Sequence, residues 1–130
     1  MNLLSPLLYV PAESMTLEYE EKDREKLFCF ELKESEANRF EPDKTTFPGS
    51  LIFVGKAPSK DEPAVLELKP GNYVFSQVRE ILNRNDLVDL AVEVQNEGLW
   101  QRLKLTKRLY IRFLFEDGCG VSQIWRPYIN

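Results

Sequence analysis

Helical periodicity occurs once along this chain. In "SQVREILNRNDLVDLAVEVQNEG" (76–98) the apolar residues Leu87, Leu90, Ala91 and Val94 recur at i, i+3, i+4 and i+7, and Asp86, Asp89, Glu93 and Glu97 fall largely off that stripe. Val78, Ile81 and Leu82 make a shorter apolar cluster just before it, and Asn83 and Asn85 carry side chains suited to capping a helix. The pattern predicts a helical pair over roughly 77–97, or one helix broken near Asn83, with Gly98 ending it.

The remaining apolar text has the short, aromatic-rich form of strands: "LLYV" (7–10), "MTLEYE" (15–20), "KLFCFEL" (26–32) and "LIFVGK" (51–56). "EEKDREK" (20–26) reads as a solvated hairpin tip. "AVLELK" (64–69) and "YVFS" (73–76) read as a further hairpin, with Pro70 and Gly71 supplying a type II turn. Between them and the early strands, residues 33–50 are polar, broken by Pro42 and Pro48, and read as a loop or a functional flap.

The fold expected is therefore α+β, a single globular domain over 1–130. It has a predominantly antiparallel sheet of about six to eight strands, the helical pair packed on one face, and a C-terminal β-hairpin at 109–127. With 43% apolar and 29% charged residues the chain can bury a core of its own. No internal repeat or low-complexity tract is present.

That hairpin, "LYIRFLFEDGCGVSQIWRP", raises a question of register. A two-residue type I′ turn at Asp117–Gly118 sets Arg112 opposite Gln123 and places Arg126 among apolar residues. A "GCG" loop with a bulge at Gly120 instead brings Phe113 opposite Trp125, so that the apolar sets coincide. Hydrophobic pattern ordinarily fixes register, so the second arrangement is the one expected. It opposes Arg112 and Arg126 on one face beside Tyr110 and Ser122. Two guanidinium groups so placed need a negative partner, either a carboxylate of the protein or an anionic ligand. Arg112, Arg126, Tyr110 and Ser122 are the candidate ligand-binding residues on this reading. Trp100, in "GLWQRL", is the candidate partner contact if it stands exposed, and a packing residue otherwise.

Several chemistries are excluded. The chain has no histidine, so it holds no Cys-His or Ser-His pair and no histidine-ligated metal site. Cys29 and Cys119 form no zinc-ligand spacing, and their scarcity points to a reducing, cytoplasmic setting. Glu116 and Asp117 are adjacent and read as turn residues. "LKPGNY" lacks the spacing of a phosphate loop, and no cofactor or metal is expected. "MNLLSPLLYVPAES" has no basic leader and reads as an entering strand, not a signal or membrane segment.

Charge is uneven along the chain. Residues 1–100 carry 11 Lys or Arg against 19 Asp or Glu, and residues 101–130 carry 6 against 2. An acidic body with a basic end can self-associate or hold a small anion, but makes a poor footprint for duplex nucleic acid. The function expected first is a non-catalytic binding or accessory module with a protein partner. The alternative is a domain that binds a small anionic ligand, or an enzyme, with its site near the last hairpin. A concave polar pocket there favours the alternative, a flat apolar patch the first.

Overall fold

A computed structural model describes residues 1–32 and 49–129. The loop or flap read at 33–50 lies outside these residues except for its last two positions. The described strands are β1 (Asn2–Leu3), β2 (Leu7–Pro11), β3 (Glu25–Glu31), β4 (Ser50–Lys56), β5 (Leu66–Leu68), β6 (Gly71–Val78), β7 (Lys104–Leu105), β8 (Arg108–Glu116) and β9 (Cys119–Ile129). A short 3₁₀ turn spans Glu21–Asp23, and one α-helix, α1, spans Arg84–Trp100.

All strand pairs are antiparallel, in the order β1-β6-β9-β8-β3-β4-β2-β5, with β7 on β9. The two ends of this order meet. β1 and β2 are joined by three residues and pair with β6 and β5 respectively (Leu3 with Gly71, Leu7 with Leu68), and β5 and β6 are themselves joined by Lys69–Pro70. The sheet thus curls back on itself, which leaves few free edges.

Curling buries both faces. One face gathers Tyr9, Leu27, Cys29, Leu68, Tyr73, Tyr110 and Trp125 into an inner core. The other packs Phe28, Leu109, Ile111 and Ile124 under α1 through Leu87, Leu90, Ala91 and Val94. The helical stripe read from the sequence is the face that does this.

The predicted helical pair is corrected to one helix. Residues 71–78 belong to β6, and the apolar spacing of Val78, Ile81 and Leu82 reflects a strand end and a strap. Ser122 holds that strap: its hydroxyl donates to the Glu80 carbonyl at 2.7 Å and accepts from the Leu82 N–H at 3.0 Å. Asn83 is the N-cap, its Oδ1 accepting from the Asp86 N–H at 2.9 Å.

Gly98 does not end the helix. It lies inside the last turn, where an added Cβ would come within 2.8 Å of Leu105 and 3.3 Å of Val74. The helix ends two residues later at Trp100, with Gln101 as cap and Arg102 beyond it in the left-handed region at φ 59°, its N–H bonded to the Leu99 carbonyl and the Leu103 N–H bonded to the Gly98 carbonyl. This is a Schellman arrangement, in which the left-handed position favours glycine. Arg102→Gly is expected to stabilise the chain by about 0.5–1 kcal/mol, read as a raised denaturation midpoint with an unchanged slope.

Residues 15–20 are not a strand. Leu17 and Tyr19 lie over the α1-side core without ladder pairing, and the Tyr19 ring stands 5.4 Å from Phe113 and 5.8 Å from Phe115. Nor do 64–69 and 73–76 form a hairpin. The chain turns a corner at Lys69–Asn72, with Gly71 at φ 151°, and β5 joins β2 while β6 joins β1 and β9. The corner keeps Leu66, Leu68, Tyr73 and Phe75 all on the inner face.

The expected register of the last two strands is also corrected. β8 and β9 pair antiparallel through a two-residue connection, with Asp117 at φ 53° and Gly118 at φ 75°, as a type I′ turn requires. Arg112 faces Gln123 and Phe113 faces Ser122. The expected register assumed one buried face. With both faces buried, apolar matching no longer discriminates, and turn geometry decides.

Candidate functional site

The register separates the four residues read as one ligand-binding group. Arg112 and Tyr110 lie on the inner face, whereas Ser122 and Arg126 lie on the face that carries Ile124. Each arginine is occupied by the protein itself. Arg112 Nε donates to Glu25 Oε1 at 2.6 Å and to the Tyr9 hydroxyl at 2.9 Å, and its Nη1 donates to Gln123 Oε1 at 3.0 Å. Tyr9 also donates to Glu25, and Trp125 Nε1 donates to Gln123 Oε1 at 2.9 Å.

Arg126 is fully buried. Its Nε and Nη2 donate to the Thr106 carbonyl at 3.1 and 2.9 Å, at the point where the β7–β9 pairing gives way to the β8–β9 register. Burial pushes its pKa down to about 10, so the group stays charged at neutral pH. Ser122 serves the strap before α1, as described above.

Trp100 stands 85% exposed at the end of α1, next to Leu99 at 43%.

A concave site lies elsewhere, at one end of the curled sheet. β6 meets β9 only from Tyr73 opposite Pro127 onward, and past Pro127 the tail of β9 turns to pair with β7. The strands split there. An open groove of about 690 Å³ occupies the split, between residues 64–73 on one side and Thr106, Arg108 and 127–129 on the other. Tyr73, Tyr110 and Phe53 contribute its aromatic wall. Trp125 lies directly behind, with ring centroids 5.3 Å from Tyr73, and Tyr73 is 6.4 Å from Tyr110. Tyr73 also ties the corner together by donating its hydroxyl to the Lys69 carbonyl at 2.5 Å.

Arg108 is the cation at the groove with a fixed position. Its Nη2 is 3.3 Å from Glu31, both side chains being about half exposed, and its Nη1 donates to Cys29 Sγ at 3.4 Å. Lys69 and Glu67 are the other charged lining residues. Of the residues singled out in the sequence, only Tyr110 lines this groove. Arg108, Tyr73, Phe53 and Lys69 were not read as site residues, because strands distant in sequence bring them together. The available signal was the change of parity between Leu66, Leu68 and Tyr73, Phe75, which marks a corner at Pro70–Gly71.

The phenols and the thiol of the inner core share an electrostatic property. Burial pushes Tyr73 up to about 12 and raises Tyr9 and Tyr110 as well; burial also raises the Cys29 thiol. An unfolded thiol ionises near about pH 8.5 and an unfolded phenol near about pH 10. Above those values the unfolded chain loses protons that the folded chain keeps. The stability these groups contribute is complete below about pH 8.5 and declines as pH rises through the folded values. The expected result is a denaturation midpoint that falls steadily from about pH 9 upward, with tyrosinate absorbance developing together with unfolding. Tyrosinate absorbance that saturates while the chain stays folded would contradict the burial.

Among the described residues no group of three or more Cys, Asp or Glu could hold a metal ion, and no helix is long and apolar enough to cross a membrane. Comparison of the chain with protein-family models, with characterised proteins and with solved structures finds no match.

Proposed function

We propose that the protein is a non-catalytic binding module whose seat is the groove at the split between β6 and β9, and whose partner is a protein segment. The observation that carries this reading is the groove itself: aromatic side chains with one fixed guanidinium, at the mouth of a curled sheet, a common place for a ligand site. The lack of histidine supports a binding role over nucleophilic or metal chemistry. Cys29 and Cys119 are free thiols, which supports a reducing, cytoplasmic setting.

A second reading, a small anionic ligand in the same groove, is favoured by the half-exposed guanidinium of Arg108. Thermal-shift measurements against carboxylic acids, phosphorylated metabolites and short peptides test the seat. A binder at a hundredfold its Kd should add about 2.7 kcal/mol to stability. The shift is expected to vanish in Arg108→Ala and to persist in Trp100→Ala. Loss in Trp100→Ala alone would move the seat to the end of α1.

A further inference from the structure

We infer that the occupant of the groove is an extended peptide bearing a carboxylate, its backbone laid along the open flank of β5 and its carboxylate on Arg108; this rests on the groove being the binding seat. β5 pairs with β2 on one flank, Leu7 with Leu68 and Tyr9 with Leu66. On its other flank, facing the tail of β9, the run from Leu66 to Asn72 has no ladder partner among the described residues. An edge of that kind is a template for an added strand.

The shape of the groove agrees with a strand. It follows residues 64–67 and 69–73, with Leu8 and Phe53 beside them, so one wall is a continuous length of chain along β5 and the start of β6. An extended chain can run along such a wall, whereas a compact ligand would leave most of it bare. Pro63 precedes the flank and Pro70 interrupts it, so its strand-like part ends at Lys69. Proline offers no N–H, so backbone pairing is confined to the stretch between them, which limits the partner to a short segment and guards the edge against unlimited sheet growth.

Charge supplies the second element of recognition. Arg108 and Lys69 stand against Glu67 in the groove, a basic local balance on a chain of net charge −4. The present partner of Arg108 is Glu31, in a half-exposed contact at 3.3 Å. Exposed pairs of that kind contribute little, so an incoming carboxylate can take over the guanidinium at small cost. The carboxylate can come from an acidic side chain or from a peptide's C-terminus.

Selection of a randomised short-peptide library on the full chain, displayed once with free C-termini and once with C-termini fused, tests this. Binders are expected to carry a carboxylate, and enrichment in one format alone identifies its source. Binding should weaken about tenfold or more in Arg108→Ala. N-methylation of alternate peptide nitrogens should abolish it, a readout on the peptide that holds even if the variant protein folds poorly. Selected peptides indifferent to N-methylation would overturn the inference. If no peptide is selected while small carboxylic acids alter Trp125 fluorescence in a Trp100→Phe background, the peptide inference fails and the groove survives as a seat. If neither binds, both fail.

Discussion

Arg112→Ala is expected to lower the unfolding free energy by about 2–4 kcal/mol, measured by denaturant titration. The side chain is 15% exposed and its partner Glu25 25% exposed, so the pair lies between the surface and buried regimes. Truncation takes the guanidinium from the Glu25 carboxylate and from Gln123 Oε1, leaving them the Tyr9 hydroxyl and Trp125 Nε1 as donors, and the uncompensated Glu25 charge bears most of the cost. Glu25→Gln in the Arg112→Ala background should recover part of the loss, because the stranded charge goes with it. A change below about 0.5 kcal/mol in Arg112→Ala, the usual size for an exposed site, would mean that the network contributes nothing to folding.

Arg126→Ala carries the next largest effect, about 2–3 kcal/mol. It removes a fully buried side chain and strips the Thr106 carbonyl of two bonds, although removal of a buried charge offsets part of the loss. The double variant is the more informative measurement. The two arginines lie on opposite faces of the sheet and share no partner among the hydrogen bonds described, so their losses should add to within about 0.5 kcal/mol. Had they faced each other across the hairpin, each single variant would gain from relieving the same repulsion, and the double variant would lose clearly more than the sum of the two.

The elements that depend on local chemistry were legible in the sequence. The α1 stripe at Leu87, Leu90, Ala91 and Val94, the Asn83 cap, and the positions of β2, β3 and β4 follow from side-chain period and turn chemistry. Three expectations failed for one reason, that the sheet curls and buries both faces. The apolar sets of β8 and β9 match in either register, so the choice fell to the φ values of Asp117 and Gly118. Leu17 and Tyr19 show strand alternation yet serve as a cover for the α1-side core, Tyr19 over Phe113. Pro70–Gly71 has turn composition but makes a corner, because Leu66 and Tyr73 belong to the same inner core.

The groove was the least legible feature. Its wall comes from 64–73, its guanidinium from Arg108 and its far side from 127–129, and only the pairing of β7 with the tail of β9 opens the space between them. No local motif records where two strands part. Arg108 differs from Arg112 and Arg126 in the one respect that matters for a ligand: its side chain is 42% exposed, against 15% for the first and complete burial for the second.

The most direct test of the groove as the binding seat is a backbone-amide NMR titration of the full chain with the tightest peptide or small acid from the screens above. Perturbations confined to residues 64–73, Thr106, Arg108, Tyr110 and the tail of β9 are the expected result. Perturbations centred on Leu99 and Trp100, with residues 64–73 unmoved, would contradict the assignment and place the partner on the end of α1.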